Sequence, residues 1–227
     1  MPVRLHPKLE ALETNQTTVC AHLVPAMQRI TDALAHGYVN HVGGIVPLST
    51  SANLILKLQG RFPGLRDNKN QAHYKKTKGA PRHKLVAFAN KSSSELVFHL
   101  LTDQPRDEDH ERWCDARRKA TRLALYQYEA LQITKLGQSG TSWTWQLQRP
   151  VVEELKGLAK ISVRAREPAP VLTLIAESQT WPGFAGVRKQ RAGLRAAITE
   201  EWKRTMPSSS PAPEWPRLRY VQRVRTR

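Results

Sequence analysis

Apolar residues recur at steps of three and four positions between residues 17 and 35, the spacing that places side chains on one face of a helix. The residues that carry this pattern are Val19, Leu23, Met27, Ile30 and Leu34. The pattern predicts an amphipathic core helix over 17–35. We expect a distortion around Pro25, because proline has no backbone N–H to donate.

Further helices are predicted from the same period. Their ranges are 49–60, 110–125, 150–160 and about 187–202. In the second of these Trp113 shares an apolar face with Leu123, and the basic side chains lie on the opposite face. Pro150 is favourable in the first turn of the third.

Two pairs of short runs rich in β-branched and aromatic residues predict two β-hairpins. The first pair is 84–90 with 95–101, and the second is 128–136 with 142–148. Repeated βαβ units, which build a parallel sheet, are not visible. We therefore predict an α+β fold, with an antiparallel sheet of two hairpins packed with helices, a C-terminal helix and a disordered basic tail.

Three stretches lack a regular apolar period. The segment 62–84 is polar, basic and interrupted by Pro and Gly, so we expect a surface arm that adds nothing to the core. Prolines after Arg166 indicate a linker, and the Ser- and Pro-rich stretch 206–216 predicts disorder. The expected organisation is an α+β domain over 1–166, a helical extension over 167–205 and a tail over 206–227.

The charge balance adds a function to this outline. The chain of 227 residues has 36 Lys and Arg against 19 Asp and Glu, a formal net charge of +17. The excess is uneven, with net +6 in 63–84, −3 in 85–110, +4 in 111–150 and +8 in 151–227. Such blocks of positive charge favour a polyanionic partner, with nucleic acid first and an acidic membrane surface or an acidic protein as the alternatives.

Three basic elements are predicted to contact phosphates: the arm, the solvent face of the 110–125 helix, and the C-terminal arginines. Arginine suits this role because its planar guanidinium binds two oxygens at once. The predicted contact residues are Lys69, His73, Tyr74, Lys75, Lys76, Lys78, Arg82, Lys84, Arg118, Lys119, Arg122, Arg188, Lys189, Arg191, Arg195, Arg219, Arg223 and Arg225.

Two aromatic residues, Trp143 and Trp145, alternate with Leu147 along a predicted strand and so point to one face. Such a face can stack unpaired bases. A buried core face is the favoured interpretation, and the stacking platform is the alternative.

Candidate catalytic groups are few. The acidic run 103–111 lies in a predicted turn and lacks the converging carboxylates that hold Mg²⁺ in nucleases. His36 and His41 could move a proton in RNA cleavage, but no third ligand lies near them in sequence. The stretch 34–40 resembles the short motif of LAGLIDADG homing endonucleases, although Asn40 stands where that family has its metal-binding acid. We expect no catalytic residue, no metal and no cofactor.

Cys20 and Cys114 have no partner at disulfide or zinc spacing, and no stretch has the ~18 consecutive apolar residues of a membrane span. We expect a cytoplasmic protein with no membrane partner. Its expected function is that of a nucleic-acid-binding accessory protein, DNA before RNA, in bacterial replication, plasmid transfer or genome maintenance. The alternatives are a nucleic-acid-cleaving enzyme and a subunit of a larger ribonucleoprotein or RNA-guided complex with other protein subunits.

Overall fold

The computed structural model describes residues 7–89, 94–134 and 140–222. The chain divides into two compact units. The first contains the residues up to Leu125 together with Gln132–Trp143, and the second contains Tyr126–Leu131 together with the residues from Thr144 on. No helix in the described part of the chain is long and apolar enough to cross a membrane.

The first unit is built on a five-stranded sheet with the strand order β1-β3-β4-β2-β5. The strands are β1 (Thr17–Cys20), β2 (Asn40–Pro47), β3 (His83–Ala89), β4 (Glu95–Thr102) and β5 (Cys114–Asp115). β1 runs parallel to β3, and the other pairs are antiparallel. The sheet is therefore mixed, and the prediction of a purely antiparallel sheet is wrong at β1.

The helices of the first unit are α1 (Pro7–Glu10), α2 (Leu23–Ala35), α3 (Leu48–Arg61) and α4 (Lys69–Thr77). Met27 and Ile30 of α2 are almost completely buried, as the helical period predicts. Ile55 of α3 packs in a core cluster with Leu85 and Leu100 of the sheet. The β3–β4 hairpin is confirmed for the described residues, and 90–93 lies outside them. The helix predicted over 49–60 is also confirmed, whereas residues 17–20 form a strand.

The segment 62–84 is not a loop. A short 3₁₀ helix, Pro63–Arg66, precedes α4, and both Phe62 and Leu65 are buried in the core cluster. Thr14 Oγ1 donates a hydrogen bond of 2.6 Å to the Leu65 carbonyl, which holds this turn against the unit. The expectation that nothing here fills the core is wrong.

The segment 110–125 does not form the predicted α-helix. It contributes β5, a 3₁₀ helix at Lys119–Thr121 and the short strand β6 (Ala124–Leu125). The tertiary contacts override the helical period, because β5 pairs with the start of β2 and the Ala116 N–H donates to the Val39 carbonyl at 2.9 Å. The predicted solvent face of a helix for Arg118, Lys119 and Arg122 is therefore wrong.

The second sheet has three antiparallel strands in the order β6-β7-β8, where β7 is Tyr128–Thr134 and β8 is Thr141–Leu147. The predicted second hairpin is confirmed for the described residues. Its far end, 135–139, lies outside them. The two predicted hairpins thus lie in separate sheets.

The second unit contains α5 (Arg149–Arg164), α6 (Ala169–Glu177) and α7 (Ala185–Thr205). Their shared core includes Val163, Val171, Leu194 and Trp202. The C-terminal helix was predicted, but α6 occupies the stretch expected to be a linker. The α+β class is confirmed.

The described residues after α7, 206–222, contain no helix or strand, but they are not disordered. Trp215 packs in the core of the second unit, and Leu218 is also buried. Trp202 Nε1 donates a 3.0 Å hydrogen bond to the Ser210 carbonyl. Residues 223–227 lie outside the described part of the chain.

Candidate nucleic-acid interface

Helix α4 begins at a reciprocal capping box. The Asn68 side chain accepts a hydrogen bond of 2.9 Å from the Gln71 N–H, and Gln71 Oε1 accepts one of 2.8 Å from the Asn68 N–H. Such a box satisfies two backbone donors that a helix start leaves unpaired. The Asn-x-x-Gln spacing is visible in the sequence and is the signal by which α4 could have been predicted.

The solvent side of α4 carries its free positive charge. Lys69, His73 and Lys76 follow one another at steps of four and three, so they lie along one exposed stripe. Next to this stripe, Tyr74 is 62% exposed and the Lys78 ammonium lies 5.8 Å from the centre of its ring. Lys69, Lys76 and Lys78 form no ion pair with any described carboxylate.

Other predicted contact residues of this segment have partners inside the protein. Lys75 forms an ion pair of 2.6 Å with Asp67 on the inner side of α4. Arg82 pairs with Asp103 at 2.7 Å, and its guanidinium carbon lies 4.7 Å from the centre of the Tyr38 ring. These ion pairs neutralise Lys75 and Arg82 within the first unit.

Lys84 on β3 is half-buried. Burial, and then the charge of Arg29, lowers the pKa of its ammonium. Arg118 and Lys119 are exposed beside the 3₁₀ turn, and Arg122 is half-buried. The structure does not place these residues on a common helix face with one another.

In the second unit, Arg188, Arg191 and Arg195 follow at steps of three and four on α7 and therefore share one helix face. Together with Arg217 and Tyr220 they line an open cleft of about 360 Å³. We call this the arginine cleft. Lys189 and Arg219 are exposed but do not line it, and Arg223 and Arg225 lie outside the described residues.

The wall of the arginine cleft opposite α7 comes from the segment 215–220. It approaches the turn before α7 so closely that a Cβ atom on Gly183 would collide with the Arg219 carbonyl oxygen. Arg188 Nη1 donates a 2.6 Å hydrogen bond to the Gly183 carbonyl, and its guanidinium carbon lies 3.9 Å from the centre of the Tyr220 ring. Arg217 is one of the C-terminal arginines predicted to contact phosphates, whereas Trp215 was not predicted as a site residue. The signal for Trp215 is a large aromatic residue inside a Pro-rich, basic stretch.

The candidate catalytic residues do not assemble into a metal site. Asp109 accepts hydrogen bonds from the Arg106 N–H and Trp113 Nε1, and Asp103 is paired with Arg82. His36 is exposed, with Nδ1 2.6 Å from the Asp32 carbonyl oxygen of its own helix. The described residues contain no group of three or more His, Cys, Asp or Glu that could hold a metal ion.

Two histidines of the first sheet, His41 on β2 and His99 on β4, are buried. His41 Nε2 lies 2.9 Å from the Thr121 carbonyl oxygen, and its ring centre is 6.1 Å from that of His99. Burial lowers the pKa of His41, and burial together with the neighbouring His41 lowers the pKa of His99 to about 3. His99 was not singled out from the sequence, because a histidine in an apolar strand carries no distinguishing spacing.

Of the two tryptophans of β8, only Trp145 belongs to the core. Trp145 and Leu147 are at most 1% exposed, so the favoured core interpretation is confirmed for both. Trp143 is half-buried.

Comparison of the chain with protein-family models, curated proteins and solved structures finds no match.

Proposed function

We propose that this protein binds nucleic acid, with DNA as the first expected partner, by contacting backbone phosphates through the exposed side of α4. The observation that carries the proposal is the stripe of Lys69, His73 and Lys76 beside Tyr74 and Lys78, which points to solvent on a capped helix. Lysines held on a preformed helix lose less freedom on binding than lysines in a loop.

The spacing along α4 suits a phosphate backbone. Lys69 and Lys76 are separated by seven residues, or about 10 Å along the helix at ~1.5 Å per residue. That length is close to the axial rise of three phosphates of one DNA strand, at about 3.4 Å each. The contacts are therefore expected to position the protein on the strand without reading its bases.

The remaining charge supports the same partner. The net charge of +17 produces a long-range attraction that accelerates encounter with a polyanion and weakens as salt rises. Since Lys75 and Arg82 are ion-paired inside the first unit and Lys84 is half-buried, fewer cations from this segment face solvent than the sequence alone indicates.

The test is a binding titration over a range of salt concentrations with double- and single-stranded DNA and RNA. The variant K69Q/K76Q/K78Q is compared with K57Q/K160Q/K203Q, which removes the same charge at exposed sites away from α4. With about six phosphates neutralised, the log–log salt slope on duplex DNA should be near −5, and the α4 variant should reduce it by about 2.7, at ~0.9 per contact.

Two results would contradict the proposal. The first is a salt slope near zero for every nucleic acid. The second is an equal loss of affinity in the α4 variant and the control, since that would assign binding to net charge alone. If the protein binds RNA more tightly than DNA, α4 remains the proposed contact surface and RNA replaces DNA as the proposed partner.

A further inference from the structure

The arginine cleft concentrates positive charge without compensation. Four arginines line it, Arg188, Arg191, Arg195 and Arg217, and among the described lining residues there is no carboxylate. Like charges at this density repel one another, so an anion bound between them would stabilise the arrangement. The cleft belongs to the second unit and does not depend on the function proposed for α4.

One of these arginines is buried with a donor left unused. Arg191 is 6% exposed, and its Nε donates a hydrogen bond of 2.8 Å to Ser178 Oγ. Its Nη2 has no hydrogen-bond partner among the described residues, and neither does Nε1 of Trp215, which also lines the cleft. Buried polar groups are almost always paired, so two unpaired donors at one cleft point to an acceptor supplied from outside the protein.

The lining is held in place before any ligand binds. The guanidinium of Arg191 lies 5.1 Å from the centre of the Trp215 ring. Arg188 is fixed between the Gly183 carbonyl and the Tyr220 ring, and Arg217 Nη2 lies 3.5 Å from Tyr220 Oη. Prearranged guanidinium groups reduce the entropy lost when an anion binds.

We propose that the arginine cleft binds a phosphate monoester. A monoester carries about −1.5 to −2 charges at pH 7 and three strong acceptor oxygens, whereas an internal phosphodiester carries one charge. Of the two, only the monoester has a separate unesterified oxygen for each of Arg191, Arg195 and Arg217. A cleft of about 360 Å³ falls in the size range of small-ligand sites.

Two kinds of molecule can supply such a phosphate monoester: a free nucleotide and the phosphorylated end of a nucleic-acid strand. Calorimetric titration of the full chain at constant ionic strength separates them. One arm compares AMP and inorganic phosphate with adenosine. The other compares a single-stranded oligonucleotide bearing a 5′-phosphate with the same oligonucleotide bearing a 5′-hydroxyl.

The variant R195Q/R217Q tests the site, because both side chains are exposed and the buried Arg191 is retained. K203Q, an exposed residue on the same helix outside the cleft, is the control. We expect AMP or the 5′-phosphorylated strand to bind at least tenfold more tightly than its unphosphorylated counterpart. We expect R195Q/R217Q to lose that preference and K203Q to retain it.

A preference in the AMP arm alone assigns the site to free nucleotides, and a preference in the oligonucleotide arm assigns it to strand ends. The proposal is overturned if phosphorylation brings no gain in either arm, or if the gain persists in R195Q/R217Q. The variant K69Q/K76Q/K78Q leaves this cleft intact, so its preference for phosphorylated ligands should equal that of the natural chain. A failure of the α4 proposal and a failure of the cleft proposal are therefore distinguishable.

Discussion

Gly43 of β2 lies directly opposite His99 of β4, and a Cβ atom on Gly43 would lie 2.5 Å from His99 Nδ1. The same Cβ would lie 2.6 Å from the Phe98 carbonyl oxygen, so the backbone of the neighbouring strand is also in the way. Glycine is required here for close approach. The buried imidazole occupies the space that a side chain at position 43 would take.

Gly43→Ala should therefore destabilise the protein by about 1–3 kcal/mol, the usual cost of overpacking a core. Urea denaturation followed by circular dichroism measures it. Gly60→Ala is the control, because nothing lies within 4 Å of its Cβ position at the end of α3 and alanine is the better helix former. If the two variants are equally stable, β2 and β4 can move apart to admit the alanine side chain without a loss of free energy of unfolding.

The buried histidines should make stability fall in mild acid. In the unfolded chain a histidine takes up a proton near pH 6.5, whereas folded His99 has a pKa of about 3, and the pKa values of folded His41 and His83 are also lowered by burial. Between these pH values the unfolded state binds more protons, so the free energy of unfolding decreases as pH falls below 6.5. His99 alone should account for a loss of about 2 kcal/mol between pH 7 and pH 5.

The measurement is urea denaturation at pH 7 and at pH 5, for the natural chain and for His99→Leu. The variant should lose less stability between the two pH values, whatever its stability at pH 7. His22→Gln, at an exposed position, is the control and should follow the natural chain. An unchanged pH difference in His99→Leu would mean that the ring takes up its proton in the folded state as readily as in the unfolded one.

The local spacing of apolar residues predicted which positions of α2 and β8 are buried. Met27 and Ile30 are buried on α2 as their period requires, and Trp145 and Leu147 are buried at alternate positions of β8. Residues 17–20 show the limit of that reasoning. Val19 fits the helical period but also suits a strand, and pairing with β3 decides for the strand.

The sequence indicated which basic residues could belong to the candidate sites, but not how those residues are arranged. Lysines and arginines were identified by charge, but their partners were not, because Asp67 and Asp103 meet Lys75 and Arg82 only in the folded chain. The arginine cleft was not predicted for the same reason. Its second wall comes from a Pro-rich stretch that looks disordered until Trp215 is seen to be buried.

The capping box of α4 should link helix stability to binding. Asn68→Ala removes the side chain that accepts from the Gln71 N–H and should cost about 1 kcal/mol of local stability. Amide hydrogen exchange in 69–77 should then accelerate, and affinity for DNA at low salt should fall. Asn70→Ala, at an exposed position inside the same helix, is the control. Faster exchange with unaltered affinity would separate α4 from the binding surface.

The arginine cleft should depend on the absence of a side chain at position 183. Gly183→Ala places a Cβ against the Arg219 carbonyl, and because that neighbour is backbone the segment carrying Trp215, Arg217 and Tyr220 must move. We expect a loss of about 1–3 kcal/mol in stability, a red shift in tryptophan fluorescence as Trp215 becomes exposed, and loss of the preference for phosphorylated ligands. Gly193→Ala is the matched control on α7, where the added Cβ meets nothing within 4 Å. If Gly183→Ala instead retains both the fluorescence and the phosphate preference, the segment 215–220 is not the wall that the ligand needs, and Arg188, Arg191 and Arg195 of α7 bind the anion without it.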